Sequence, residues 1–210
     1  MKIGLFGGTF DPPHNAHIKV AEHALSEFSL DRIIFIPAGD PPHKKDKDKT
    51  DKLHRLKMTE LMVLENEKFC VSTFEIEQSK PSYSLNTIKH FKKEHPEDEL
   101  YFIIGGDSFY DLPSWWGYRE LMELSTFIVL SRPDSPKNHL LDRFKGDEKP
   151  PRVFYSESLY MDVSSTEIRE KLKNGEDISD LVSKDVLDYI SKENLYKENT
   201  DGNFPDTPKA

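Results

Sequence analysis

A turn near the start of the chain carries the residues best suited to chemistry. Residues 7–17, GGTFDPPHNAH, place two glycines, a hydroxyl group and two histidines between an apolar run and a helix-like segment. In an α/β sheet such a turn lies at the carboxyl end of the first strand, where ligands bind. The next helix offers N–H groups and a positive dipole end to a phosphate, and His14 and His17 share one face of a helical turn. The turn predicts a nucleotide phosphate site.

Other interpretations of this turn are weaker. It lacks the third glycine of the dinucleotide-binding fingerprint and the Gly-Lys-Ser/Thr of a P-loop. A zinc site would need more than the two imidazoles of His14 and His17, and no third ligand stands nearby in the sequence. The histidines are therefore interpreted as N–H donors to phosphate oxygens rather than as metal ligands.

A second anion site is predicted near the end of the chain, at residues 164–169, SSTEIR. Ser164 and Glu167 have the spacing of a capping box that opens a helix. The same helix start would present the hydroxyl groups of Ser165 and Thr166 to an anion, and Arg169 follows about one turn later. Capping and phosphate binding are compatible here.

Four weaker patterns lie between these two, and each also has a plain structural explanation. Lys44, in PPHK at residues 41–44, either reaches a polyphosphate or sits on an exposed loop. Asp107, after a buried strand, either meets ribose hydroxyls or a metal, or caps a helix. Trp115 and Trp116 are adjacent and cannot easily bury in the same direction, so one can stack on a flat ring. Ser84 opens a helix whose N–H groups suit a carboxylate, or it is a simple N-cap.

Composition limits the class of protein. The 210 residues carry a formal net charge of -9, which argues against a nucleic-acid-binding protein. The one cysteine, Cys70, lies in an apolar run and is expected in the core, and it excludes an internal disulfide. Neither a secretory leader pattern nor a membrane-spanning run is evident, so a cytoplasmic protein without a membrane partner is expected.

Strand-like and helix-like segments alternate along the first three quarters of the chain. This alternation predicts an α/β fold, a doubly wound and mainly parallel sheet with helices on both sides. The predicted strands span residues 2–6, 32–36, 69–74, 100–104, 126–130 and 152–155. The predicted helices span residues 17–28, 51–65, 84–94 and 118–124. In the second helix the residues expected on the buried face are Leu53, Leu56, Met58, Leu61, Met62 and Leu64.

The C-terminal part is predicted to be helical. Residues 164–173 and 183–192 form two helices, with Ile178 and Leu181 as apolar anchors between them. We expect a single domain over residues 1–197, with these helices as a small appendage. Residues 198–210 are polar and are predicted to be a disordered tail, and residues 44–49 a solvated mobile loop.

Taken together, these motifs resemble the bacterial nicotinate-nucleotide adenylyltransferase family of the nucleotidyltransferase superfamily. The resemblance covers residues 2–196. The segments at 7–17 and 164–169 are similar to the signatures of the whole superfamily. The segments PPHK, PSYS, IIGGD and the Trp115 loop are similar to its pyridine-nucleotide branch. Two departures are Ser84, where members often have Thr, and Trp116, where they often have Tyr.

The resemblance implies a Rossmann-like fold and a reaction in which nicotinate mononucleotide and ATP give deamido-NAD and pyrophosphate. It implies catalytic roles for His14, His17, Lys44 and Arg169. It implies an ATP site made of Gly8, Thr9, Phe10, His14, His17, Lys44, Ile104, Gly105, Ser164, Ser165, Thr166 and Arg169. It implies a nicotinate mononucleotide site made of Ser84, Asp107, Trp115 and Trp116. Mg²⁺ would be held by the nucleotide phosphates rather than by protein side chains.

Several alternatives stay open. A related transferase could use phosphopantetheine or glycerol phosphate, although such relatives tend to be shorter and lack the tryptophan loop. A fragment of a class I aminoacyl-tRNA synthetase is disfavoured by the acidic charge and by the absence of a Lys-rich second signature. A non-catalytic nucleotide sensor would not need His14, His17, Lys44 and Arg169 together. The expected assembly is a monomer or a small homo-oligomer.

Overall fold

Six parallel strands form one sheet in the computed structural model, which describes residues 1–40, 49–79, 81–131, 137–157 and 163–197. The strands are β1 (Lys2–Gly8), β2 (Arg32–Pro37), β3 (Phe69–Val71), β4 (Glu99–Gly105), β5 (Thr126–Ser131) and β6 (Val153–Glu157). Their order across the sheet is β3-β2-β1-β4-β5-β6, and every neighbouring pair is parallel. This is the Rossmann order, whose switch point falls between β1 and β4.

Helices cover both faces of the sheet. They are α1 (Asn15–Glu27), α2 (Lys52–Val63), α3 (Phe74–Glu77), α4 (Ser84–Glu94), α5 (Gly106–Tyr110), α6 (Tyr118–Leu124), α7 (Lys137–Asp142), α8 (Ser165–Lys173) and α9 (Lys184–Lys192). A short 3₁₀ turn, Leu112–Ser114, lies between α5 and α6. The predicted α/β fold with a parallel, doubly wound sheet is confirmed.

Alternate side chains of each buried strand pack into two separate hydrophobic cores, one on each face of the sheet. Phe6 and Phe35 pack on one face with residues of α1, α2, α8 and α9. Leu5 and Ile36 pack on the other face with residues of α4, α5, α6 and α7. Because both faces are covered, the central strands are almost continuously apolar, and this is the pattern that made them predictable.

The C-terminal helices are part of the first of these cores. Ile178 is 2% exposed and Leu181 packs against the same core, so both predicted anchors are confirmed. The backbone N–H of Asn15, at the start of α1, donates to the carbonyl oxygen of Leu181 at 2.8 Å. The end of the chain is thereby attached to the helix that follows the predicted phosphate turn.

Three predictions about packing are wrong. Cys70 is exposed, because β3 is a three-residue edge strand and α2 covers the face to which Phe69 points. The strand predicted over residues 69–74 ends at Val71, since Phe74 begins α3. Leu53 and Leu64 are exposed, whereas the buried face of α2 consists of Arg55, Met58, Thr59, Met62 and Val63.

No helix among the described residues is long and apolar enough to cross a membrane. The predicted tail, 198–210, lies outside the described residues, as does most of the predicted mobile loop, including Lys44.

Candidate functional site

A cavity of about 480 Å³ opens at the carboxyl ends of β1 and β4, on both sides of the switch point. Gly8 and Thr9 line it after β1, and Ile104 and Gly105 line it at the end of β4. These four residues were all predicted to contact ATP. In a parallel sheet the carboxyl ends of the strands share one edge, so the fold brings together segments that are almost 100 residues apart in the sequence.

His14 and His17 stack on each other next to this edge. Their ring centroids are 3.7 Å apart, and the backbone N–H of His14 donates to Nδ1 of His17 at 3.1 Å. His14 is the N-cap of α1, and its own Nδ1 is buried without a hydrogen-bond partner among the described residues. The edge of the Phe10 ring packs against His17 with the centroids 4.9 Å apart, so this imidazole is fixed on two sides.

Both histidines are neutral at physiological pH. Burial lowers the pKa of His14 to about 4. Burial lowers the pKa of His17 well below its ordinary value, and the neighbouring His14 lowers it further. Because Nδ1 of His17 accepts a hydrogen bond, the neutral ring carries its proton on Nε2. The ring can therefore donate one N–H without adding a full charge.

The loop between β1 and α1 is held by residues from the end of the chain. Arg169 Nη1 donates to the carbonyl oxygen of Asp11 at 2.7 Å, and Ser165 Oγ donates to that of Pro12 at 2.8 Å. The Tyr196 hydroxyl donates to Oδ1 of Asp11 at 2.6 Å. The two signature segments predicted from the sequence thus lie against each other in the fold.

The start of α8 has the predicted cap. Oγ of Ser164 accepts from the backbone N–H of Glu167 at 3.2 Å. Nη2 of Arg169 donates to the Thr166 hydroxyl at 3.3 Å. A guanidinium has five N–H donors, so its contacts to Asp11 and Thr166 leave others for a ligand.

The opposite wall of the cavity is formed by α4 and the tryptophan loop. Ser84, Trp115 and Trp116, which were predicted to bind nicotinate mononucleotide, line it. Tyr83 is the N-cap of α4 and makes no side-chain cap hydrogen bond, which leaves the first N–H groups of the helix for a ligand. Trp115 packs against the core, whereas Trp116 is 57% exposed and its ring lies 5.2 Å from that of Tyr83.

Gly117 fixes the tryptophan loop against α4. Its φ is +69°, and a Cβ there would lie 2.3 Å from Cδ2 of Leu85. Only glycine combines this left-handed conformation with so close an approach.

The other predicted site residues are placed as follows. Phe10 is buried under the histidine pair rather than in the cavity. Asp107 is exposed in the first turn of α5, near Ser108 and Asp111, which line the cavity. Lys44 lies outside the described residues.

Two buried charged side chains near the cavity were not anticipated. Glu75 lines the cavity, and Arg55 bonds to the Thr9 carbonyl below it. Arg55 is three residues before Met58 and seven before Met62, so it shares their buried helical face, and this spacing was the available signal. Glu75 lies in a four-residue helix that leaves no such pattern.

Comparison with known proteins agrees with this geometry. The model of the cytidylyltransferase-like family matches residues 5–171. A Clostridium tetani protein named as a probable nicotinate-nucleotide adenylyltransferase is 41% identical, over 93% of this chain and 99% of the relative. The Bacillus subtilis nicotinate-nucleotide adenylyltransferase is 38% identical, over 93% of this chain and 98% of the relative. The chain belongs to the nicotinate-nucleotide adenylyltransferase family. The resemblance stated from the motifs is therefore confirmed.

Solved structures of this family share the fold. The Plasmodium falciparum nicotinic acid mononucleotide adenylyltransferase complexed with NaAD has a TM-score of 0.74 and 25% identity, over 93% of this chain and 97% of that one. A second structure of that protein, complexed with APC, has a TM-score of 0.73 and 24% identity. That match covers 93% of this chain and 96% of the other chain. The shared fold thus covers 93% of this chain.

Proposed function

We propose that this protein transfers the adenylyl group of ATP to nicotinate mononucleotide. A phosphate oxygen of nicotinate mononucleotide attacks the α-phosphorus of ATP in line. The bond from that phosphorus to the oxygen bridging to the β-phosphate breaks, and pyrophosphate leaves with the bonding electrons. The products are nicotinate adenine dinucleotide and pyrophosphate, and no covalent intermediate with the protein forms.

The observation that carries the proposal is that the Gly8–Thr9 turn lines the same cavity as Ser84, Trp115 and Trp116. One wall suits a nucleotide phosphate, and the other suits an aromatic ring that bears a carboxylate. A reaction that joins two nucleotides needs both walls in one space. Catalysis then consists mainly of positioning and of stabilising the charge that develops on the phosphoryl oxygens.

On the phosphate side we assign the charge-stabilising role to His17 and His14. A neutral imidazole that donates from Nε2 strengthens its hydrogen bond as negative charge grows on a phosphate oxygen, and it keeps that N–H proton at pH 7. Ser164, Ser165, Thr166 and Arg169 contact the polyphosphate from the start of α8, whose dipole also favours an anion. Lys44 contacts the outer phosphates.

On the other side the start of α4 binds the nicotinate carboxylate. The N–H groups around Ser84 supply directional donors, and Trp116 lines the same cavity. Trp115 stacks on the nicotinate ring, and Asp107 accepts hydrogen bonds from ribose hydroxyls. A carboxamide is neutral, so the positive end of the helix dipole stabilises it less than it stabilises the carboxylate. We therefore expect nicotinate to be preferred to nicotinamide.

We infer that Mg²⁺ accompanies ATP. The described residues contain no cluster of three or more His, Cys, Asp or Glu side chains suited to a metal. The Asp11 carboxylate already accepts from Tyr196 and from the backbone N–H of Thr50. We expect this ion to be held by the phosphate oxygens of the nucleotide. When bound, such an ion neutralises charge on the departing pyrophosphate.

The proposal is tested by pyrophosphate release from ATP with each of two acceptors, nicotinate mononucleotide and nicotinamide mononucleotide. We expect release with the first and at least about tenfold lower kcat/KM with the second, which corresponds to about 1.4 kcal/mol. Chelation of divalent cations should abolish the reaction. Absence of pyrophosphate at saturating substrates would refute the proposal. The cytoplasmic location and the oligomeric state stay predictions.

A further inference from the structure

Arg55 is a buried cation whose partners are backbone carbonyl groups. It is 2% exposed. Its Nη1 donates to the Thr9 carbonyl at 2.8 Å, its Nη2 to the Gly39 carbonyl at 3.1 Å, and its Nε to the Thr50 carbonyl at 3.1 Å. These carbonyls belong to three separate segments: the turn after β1, the chain after β2, and the approach to α2. One rigid guanidinium fork therefore fixes three backbone segments relative to one another.

A contribution to stability does not by itself explain why a charged arginine occupies this buried position. Burial lowers the pKa of the Arg55 guanidinium, which reflects the cost of placing a charge there, although the Asp11 and Glu75 carboxylates oppose that shift. Well-packed apolar residues usually serve stability at least as well as a buried charge. What an apolar side chain cannot do is define the distances between three carbonyl oxygens.

Glu75 holds Gly39 from the other side. Its carboxylate accepts from the Thr87 hydroxyl at 2.7 Å. Burial raises the pKa of Glu75, and the nearby Thr87 hydroxyl, Ser82 hydroxyl and Gly39 backbone N–H oppose the rise. Since Ser82 precedes α4 and Thr87 lies in its first turns, this carboxylate attaches Gly39 to the wall opposite Thr9.

Gly39 is the point where the two buried charges meet. Its carbonyl accepts from Arg55, and its backbone packs directly against Glu75. A Cβ at this position would lie 2.0 Å from the carbonyl oxygen of Glu75. The backbone can approach Glu75 this closely only because residue 39 is glycine. The path from Thr9 to Thr87 thus runs through three residues, Arg55, Gly39 and Glu75, which we call the strut.

We propose that the strut sets the distance between the Gly8–Thr9 turn and the start of α4, so that Arg55 and Glu75 are positioning residues for the transfer reaction. This inference rests on the proposed function, in which those two walls bind the two substrates. Neither Arg55 nor Glu75 needs to contact the reacting phosphate. An alignment error of about 1 Å between two bound reactants can cost about 10²-fold in rate.

The kinetic test compares Arg55→Lys, Glu75→Gln and the double variant with Met62→Ala. Met62 is buried in the same helix, α2, but packs in the core away from Thr9 and Gly39, so its variant controls for lost stability. Lysine keeps the charge but cannot span three carbonyls from one nitrogen. We expect kcat to fall about 10²-fold for Arg55→Lys with each substrate KM within about threefold of wild type. Met62→Ala should keep kcat within about threefold, because it leaves the alignment of the walls unchanged.

The double variant tests whether the two residues act through one path. If both act through Gly39, the combined loss of kcat is close to the larger single loss rather than the product of the two. If the loss of kcat in the double variant equals the product of the two single losses, the strut is overturned. A loss of kcat in Arg55→Lys no greater than that in Met62→Ala would overturn it as well. A melting curve for each variant shows whether it is folded.

Hydrogen–deuterium exchange provides a readout that does not need turnover. Arg55→Lys should speed exchange at the start of α4, and Glu75→Gln should speed it at the turn around Thr9, because each change acts on the far wall. Exchange that changes only beside the substituted residue would overturn the strut while leaving the proposed function intact. A wild-type protein that releases no pyrophosphate would refute the proposed function and leave this exchange test unaffected.

Discussion

At the scale of single residues, the histidine pair is the part of the site with the clearest chemistry. Stacking, burial and one backbone hydrogen bond combine to keep His14 and His17 neutral and to place a proton on Nε2 of His17. A charged pair at this spacing would repel itself. A neutral pair instead offers donors that respond to charge only where charge develops.

Replacing His17 with Ala should lower kcat by about 10²-fold or more, because a preorganised donor to the developing charge is lost. The melting temperature should also fall, because His17 accepts the His14 N–H and packs against His14 and Phe10, so kcat is compared at a temperature where both proteins are folded. His23→Ala is the matched control: it lies on the same helix and pairs with Glu27 at the surface. Steady-state pyrophosphate release measures both, and an unchanged kcat for His17→Ala would remove this residue from the mechanism.

The pKa of His14 also predicts how stability depends on pH. The folded protein keeps His14 neutral down to about pH 4, whereas an unfolded chain protonates it near 6.5. Between these values the unfolded state binds more protons, so stability is full above pH 6.5 and falls as the pH drops toward 4. His14 alone should account for about 2–4 kcal/mol of this fall.

Urea unfolding at several pH values, with wild type and His14→Gln, measures that contribution. The variant should lose less unfolding free energy between pH 6.5 and pH 4.5 than wild type does. Equal slopes for the two proteins would show that His14 is not held neutral by the fold.

At the scale of elements, Gly117 and Gly175 form a natural comparison. Both have positive φ, +69° and +71°, but a Cβ on Gly117 would collide with Leu85, whereas one on Gly175 would meet no atom within 4 Å. Gly175→Ala should cost about 1 kcal/mol of stability from backbone strain alone. Gly117→Ala should cost more and should also move the tryptophan loop away from α4.

The kinetic consequence separates the two variants. Gly117→Ala should raise the KM for nicotinate mononucleotide more than the KM for ATP, because Trp115 and Trp116 line the wall assigned to that substrate. Gly175→Ala should leave both KM values at their wild-type level. Equal effects of Gly117→Ala on the two substrates would argue against that assignment.

Some of these helices and strands could be predicted from the sequence, and others could not. The long apolar strands and the helices α1, α4, α8 and α9 were predictable, since several turns or a buried run give a clear period. The helices α3, α5 and α7 have four to six residues and carry too little periodicity to detect. The buried face of α2 was misjudged because a charged residue, Arg55, occupies it while Leu53 faces solvent.

The site residues also fall into two groups, those that a local sequence pattern predicts and those that only the tertiary fold brings together. Gly8, Thr9, Ser84 and Trp115 were predictable because each belongs to a recognisable local pattern, and all four line the cavity. The contacts that position these four residues could not be predicted from local patterns. Hydrogen bonds from Arg55 to three carbonyls, and from Tyr196 to Asp11, depend on segments that only the tertiary fold brings together.

At the scale of the whole molecule, Tyr196 connects the two ends of the described chain. Asp11 is 4% exposed, and the Tyr196 hydroxyl is one of its donors. Tyr196→Phe should lower the free energy of unfolding by about 1–3 kcal/mol, because a buried carboxylate oxygen loses its partner. Deleting residues 198–210 retains Tyr196 and should leave the melting temperature unchanged, and a large loss in that deletion would contradict this account.

The attachment of Tyr196 and Arg169 to Asp11 has a consequence for synthesis on the ribosome. The loop after β1 is translated well before its partners, which lie 158 and 185 residues later. A nascent chain therefore emerges with its histidine loop unfinished, and the loop is completed only when α8 and Tyr196 have cleared the exit tunnel. Every ribosome-bound intermediate in which Tyr196 is still inside the tunnel should therefore lack the finished histidine loop.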